Sequence, residues 1–225
     1  GRPLGGAGEF RYAATADVFR LSDLMLALDL GGNRLRARGN WGGQGDSLAL
    51  KLDAPALAAF GHGLGGRAGA EGTLAGSLAK PVGALSFFGE DLRLPGELRL
   101  AAVNGEAKLD AGMEGPFRLS VGLSGLASTE TGRAGGGAKS APALVDSAFL
   151  AADGTRAAHT LRFSAAGLDG NTLALRLEGG LTPAAANGDM SAGNAGAGVN
   201  WAGQLAALET GGRLAARLVA PAGLE

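Results

Sequence analysis

Cysteine and isoleucine are absent from this sequence, and its 225 residues include one tyrosine and two tryptophans. Without cysteine there are no disulfides, no thiolate metal sites and no cysteine nucleophile. The absence suits an oxidising compartment, where a stray thiol would mispair. An excess of charge of one sign is also missing: 20 Lys and Arg against 21 Asp and Glu leave a net charge of −1. Acids and bases are interleaved, so the basic surplus needed to bind a phosphate backbone is lacking and no nucleic-acid partner is expected. No run of about 18 apolar residues occurs, so no helix of this sequence crosses a bilayer. The opening residues, GRPLGGAGEF, have neither an initiator methionine nor the layout of a secretory signal, and the chain reads as a piece of a longer protein.

Chemical motifs are equally sparse. His62 and His159 are the only histidines, and neither has a carboxylate or second histidine at ligand spacing, so no metal site and no triad is expected. His159 reads instead as a residue at the start of a strand whose ring bonds a turn carbonyl. Gly61-His-Gly-Leu-Gly-Gly66 satisfies G-x-G-x-x-G, but no strand precedes it and no helix follows. Gly135-Gly-Gly-Ala-Lys-Ser140 lacks the glycine that a P-loop places immediately before lysine. The expectation is a protein that is not an enzyme, with no catalytic residue, no cofactor and no metal.

What the sequence does have is leucine at every second position. Leu24, Leu26, Leu28 and Leu30 oppose Asp23, Met25, Ala27 and Asp29; Leu48, Leu50 and Leu52 oppose Ala49, Lys51 and Asp53. Leu98, Leu100 and Ala102 oppose Glu97, Arg99 and Ala101, and Phe117, Leu119, Val121 and Leu123 oppose Arg118, Ser120, Gly122 and Ser124. Leu161, Phe163 and Ala165 oppose Arg162 and Ser164, and Leu173, Leu175 and Leu177 oppose Ala174, Arg176 and Glu178. Successive side chains of a strand point to opposite faces, so this alternation predicts strands with one greasy face and one polar face. Strands are expected over 9–18, 22–30, 33–40, 46–53, 67–77, 82–88, 97–103, 105–111, 116–125, 159–166, 172–179, 199–208 and 213–219. Turn signals fall at Gly31-Gly32-Asn33, Asn40, Asn104-Gly105, Asp153-Gly154 and Asp169-Gly170-Asn171. A helical turn is expected at Pro55 to Phe60, ended by Gly61. Residues 128–142 and 184–198 have no periodicity and read as mobile inserts within one domain spanning 1–225. Trp41-Gly-Gly-Gln44 and Trp201-Ala-Gly-Gln204 each precede a leucine-rich stretch ending in Ala-Pro-Ala, an echo that suggests modular repetition.

A β-sandwich would seal two such faces together, but sandwich cores draw on Val, Ile, Tyr and Trp. Leucine set against alanine and glycine makes a smooth, unbranched surface that suits flexible alkyl chains. Each buried methylene contributes about 0.8 kcal/mol, so a chain of roughly sixteen carbons laid along leucines gains on the order of 10 kcal/mol before ordering costs. A dozen strands at about 4.8 Å make a trough of about 50 to 60 Å. The fold expected is all-β: a curved, mainly antiparallel β-taco with an apolar inner groove. The groove candidates are Leu24, Leu26, Leu28, Leu48, Leu50, Leu52, Leu98, Leu100, Phe117, Leu119, Val121, Leu123, Leu161, Phe163, Leu173, Leu175, Leu177, Leu214 and Leu218. Trp41 and Trp201 read as rim residues beside glycine-rich bends, and the interspersed Arg and Lys as a solvated outer wall. An outer-membrane β-barrel and a sealed β scaffold or passenger domain are the alternatives; aromatic girdles argue against the first by their absence, and the lack of a fixed short repeat against the second.

Three segments, in order, carry a family resemblance. Leu52-Asp-Ala-Pro-Ala-Leu57 leads through Leu64-Gly-Gly66 to Glu71-Gly-Thr-Leu-Ala-Gly-Ser-Leu-Ala-Lys-Pro81. Asp153-Gly-Thr-Arg-Ala-Ala-His159 is followed by Thr160-Leu-Arg-Phe163, and Trp201-Ala-Gly-Gln-Leu-Ala-Ala-Leu208 leads to Leu218-Val-Ala-Pro-Ala-Gly-Leu224. In these the chain resembles the TamB proteins of the translocation and assembly module, within the AsmA-like group of bridge-like lipid transport proteins. The resemblance implies a periplasmic β-taco that stacks on other segments of its parent chain, the parent being anchored in the inner membrane of a Gram-negative envelope. It implies phospholipids as cargo on the way to the outer membrane, and the outer-membrane barrel TamA as a partner of the parent. The family's C-terminal domain is not evident, which suggests a segment from the middle of the parent.

Overall fold

The computed structural model describes residues 4–14, 19–77, 79–128, 143–167, 170–183, 199–213 and 215–224. Fourteen strands form one sheet. They are β1 (Leu4–Ala14), β2 (Phe19–Leu30), β3 (Asn33–Trp41), β4 (Ser47–Ala54), β5 (Gly65–Gly76), β6 (Pro81–Leu94), β7 (Leu98–Leu109), β8 (Phe117–Ser128), β9 (Ala143–Gly154), β10 (His159–Gly167), β11 (Asn171–Pro183), β12 (Val199–Gly211), β13 (Ala216–Arg217) and β14 (Ala222–Leu224). Order in the sheet is order in the chain from β1 to β13, and β14 also pairs with β12. All pairs are antiparallel. Among the described residues β1 pairs only with β2, so the sheet does not close into a barrel. The expected all-β, antiparallel, curved sheet is the one observed.

Short connections explain the meander, because a tight turn returns the chain beside the strand it has just left. Leu30 and Asn33 are joined by Gly31 and Gly32, with φ of 61° and 88°, the left-handed pair that matches strand twist. The expected helical turn is a short 3-10 helix over Leu57–Phe60 that ends at Gly61.

Several expectations are corrected. Asn104-Gly105 is not a turn: β7 runs straight through it, and the segments expected at 97–103 and 105–111 are one strand. Gly105 is there to make room, since a Cβ on it would lie 2.5 Å from the Phe87 ring. The hairpin instead turns between Leu94 and Leu98, at Pro95, Gly96 and Glu97, and β6 extends to Leu94 rather than stopping at 88. Asn40 does not end its strand; its side chain accepts the Asp23 N–H at 2.7 Å while β3 runs on to Trp41. β9 was not expected, because its positions on the leucine face are Ala148, Leu150 and Ala152 while Phe149 faces the other way, which blurs the alternation. The strand expected at 213–219 contracts to the two residues of β13. The inserts expected at 128–142 and 184–198 lie outside the described residues, apart from Ser128, which ends β8.

A seam crosses the sheet near one end of its strands. Pairing skips or shifts at Gly66 in β5, Asp91 in β6, Ala101 in β7, Gly125 in β8 and Asp146 in β9. Gly66, Asp91 and Gly125 have φ of 92°, 50° and 66°. A single left-handed residue turns the strand over, so the side chains beyond it change face. Leu92 and Leu100 thereby join the face of Val103 and Leu123: the Leu92 and Val103 side chains both close on the position of a Gly89 Cβ, at 2.8 and 3.0 Å. Ala102, expected beside Leu98 and Leu100, instead pairs with Glu90 and Ser124 on the polar face.

Candidate functional site

Cross-strand register decides which side chains share a face, and here it assembles the leucines of distant segments. One row reads Leu26, Ala37, Leu50, Gly72, Leu85, Ala107, Leu119, Ala152, Leu161, Leu177 and Leu205, passing through β2 to β12 without a break. The row beside it reads Leu28, Leu35, Leu52, Ala70, Phe87, Gly105, Val121, Leu150, Phe163, Leu175 and Leu208. Leu24, Leu48 and Phe117 fall in a third row, and Leu123 and Leu173 in a fourth. Leu98 and Leu100 join beyond the seam. Eleven strands at about 4.8 Å give this apolar face a length of about 50 Å.

Two of the sequence candidates fall outside this arrangement. Leu218 follows β13, half-exposed, with its N–H donated to the Leu208 carbonyl at 2.8 Å. Leu214 lies outside the described residues. The sequence reading missed Leu35, Leu85, Phe87 and Leu150, which register places in the two central rows. The alternation of Leu85 and Phe87 is in the sequence, but the flanking inner positions Gly83 and Gly89 hide it.

In the first row large residues alternate with alanine or glycine from β2 to β9, so that row is not filled. Among the described residues the buried apolar side chains are Ala37, Leu48, Ala54, Leu100 and Ala152, and no large side chain falls below 2% exposure. Leu50 and Leu85, on either side of Gly72, are 36% and 42% exposed. A sealed sandwich would bury such central leucines completely. The single layer leaves them facing solvent.

Polar side chains close both margins of the face. At one margin Asn33, 3% exposed, donates to the carbonyls of Leu30 and Ala56 at 3.0 and 2.8 Å and accepts the Ala56 N–H at 2.9 Å. At the other, the Trp201 indole lies across Gly179 and Gly203, where added Cβ atoms would meet it at 2.6 and 2.7 Å. Its Nε1–H donates to His159 Nε2 at 3.1 Å, so the ring proton of a neutral His159 resides on Nδ1 and points to the Thr155 carbonyl at 3.2 Å. That is the turn-carbonyl bond expected of His159. Trp41 donates to the Ala75 carbonyl at 3.3 Å. Both tryptophans are thus held by hydrogen bonds at strand ends, as rim residues would be.

The opposite face is charged, and several of its ions are paired across strands. Lys51 meets Glu71 at 3.6 Å, Arg162 meets Asp153 at 2.9 Å, and Arg67 pairs with Glu90. These exposed pairs contribute little to stability, but they keep this face solvated. Among the described residues there is no group of three or more His, Cys, Asp or Glu that could hold a metal ion, and no helix is long and apolar enough to cross a membrane.

No curated protein and no solved structure matches the chain. Residues 2–194 match the family described as TamB, N-terminal domain. That match takes in eleven complete strands of the leucine-faced sheet, β1 to β11, and most of the chain's length, and on it the chain belongs to the TamB family.

Proposed function

We propose that the leucine face is a carrier surface that shelters phospholipid acyl chains as they move towards the outer membrane. The observation that supports this reading is an apolar face continuous over eleven strands whose central leucines remain partly exposed. An alkyl chain laid across Leu50 and Leu85 would cover what no other part of the described chain covers. Gain comes from burial alone, at about 0.8 kcal/mol per methylene, so no residue is assigned a catalytic role. Because the rows repeat similar residues from strand to strand, neighbouring positions offer similar affinity, and a lipid could advance without crossing a high barrier.

TamB-family proteins belong to the envelope. On this reading the chain lies in the periplasm within a parent anchored in the inner membrane, works with the barrel TamA through that parent, and stacks on further segments of the same sheet. The test is native mass spectrometry of the purified chain followed by organic extraction. Phospholipid should co-purify, and Leu50→Asp should reduce it about tenfold or more, since a carboxylate at an exposed apolar position must be desolvated when an alkyl chain covers it. A lipid-free wild-type chain with an intact β spectrum, or Leu50→Asp carrying as much lipid as wild type, would overturn the proposal.

A further inference from the structure

The charged face carries a concavity of about 710 Å3 that crosses β3 to β8. Ala49, Thr73 and Ala84 line it together with the intervening Leu50, Gly72, Leu85 and Ala107 positions, and cations stand at both ends: Arg36 and Arg38 on β3, and Arg118 on β8. Lys51 there is paired with Glu71 at 3.6 Å and Lys108 with Asp110 at 2.8 Å. Among the described residues Arg36, Arg38 and Arg118 have no carboxylate or hydrogen-bond partner, unlike Arg34, Arg67, Arg162 and Arg176 on the same face. The row next to this cavity holds Phe88 and Phe149, 46% and 48% exposed on a face that is otherwise polar. Unpaired arginine together with exposed aromatic rings is the composition of a protein interface rather than of a solvated wall.

We infer that this concavity docks an extended acidic segment of another polypeptide, with carboxylates on the arginines at either end and an apolar side chain against Phe88. From β3 to β8 is five strand spacings, about 24 Å, which an extended chain covers in about seven residues. Unpaired Glu106, on the polar row between the cationic ends, repels a uniform polyanion. A polypeptide can place acids at the ends and none in the middle. The arginine fork recognises a carboxylate with two parallel hydrogen bonds, which gives the contact direction as well as charge.

The test uses the 225-residue chain and a fluorescent ten-residue peptide with two aspartates at each end and an uncharged centre containing one leucine. Binding should weaken steadily with added salt. It should fall about tenfold or more in Arg36→Glu/Arg38→Glu and in Arg118→Glu, and about fivefold in Phe88→Ala. Leu177→Asp, on the leucine face at β11 and outside this concavity, should leave it unchanged, which separates this site from lipid carriage. Any of three results would overturn the inference: equal binding of the peptide with asparagine in place of aspartate, binding of inorganic polyphosphate but not the peptide, or a self-association of the chain that the arginine substitutions abolish without any peptide binding. If a charge reversal unfolds the chain, the salt dependence and the asparagine peptide decide the matter on wild type alone.

Discussion

Asn33 fastens the β2–β3 hairpin to the connection after β4 through three hydrogen bonds from a site 3% exposed. Asn33→Ala leaves the N–H and carbonyl of Ala56 without that partner, and should cost about 2 kcal/mol in urea denaturation with little change in slope. His159 shows the same economy with two neighbours, Thr155 and Trp201. Trp201→Phe removes the indole donor while keeping a ring over the glycines, and should cost about 1 kcal/mol. The turn-carbonyl bond of His159 was legible because its acceptor is four residues away in the same motif. Its bond to Trp201 was not, because the donor is 42 residues distant and only register brings it near.

At the scale of the strand, alternation was read correctly wherever leucine marks the inner positions, as in β2, β4, β8, β10 and β11. It failed where small residues occupy those positions. In β9 alanine takes the inner places of Ala148 and Ala152, and in β7 Gly105 mimics a turn although it is pinned beneath Phe87. The seam was invisible for a different reason: one left-handed residue inverts every side chain beyond it, and nothing in the alternation on either side announces the change. Gly66→Ala tests the seam directly. Its φ is 92°, and an added Cβ would lie 2.5 Å from the carbonyl oxygens of Glu90 and Asp91, so a loss of about 1–3 kcal/mol is expected by denaturation. Asp91→Gly, at φ of 50°, should be neutral or stabilising, whereas Asp91→Val should destabilise by about 1–2 kcal/mol.

Across the whole molecule, nearly every contact is between strands adjacent in sequence, so the sheet behaves as a one-dimensional stack in which stability is a sum of neighbour terms. Hydrogen exchange should therefore grade along the sheet, with strong protection in β4 to β8 and weak protection in β1, which has a single neighbour, and in the short β13 and β14. Uniform protection from end to end would instead mark an all-or-none unit. The same single-layer construction divides the molecule into an apolar face and a charged face back to back, each within one residue of the other along every strand. Leu85 and Ser86 are such a pair, on opposite faces of β6. On the proposed function lipid occupies the leucine face and not the other, and these two positions test that. A photo-crosslinking residue placed at Leu85, and separately at Ser86, should capture phospholipid in cells only at the first; equal capture at both, or capture at Ser86 alone, would contradict it.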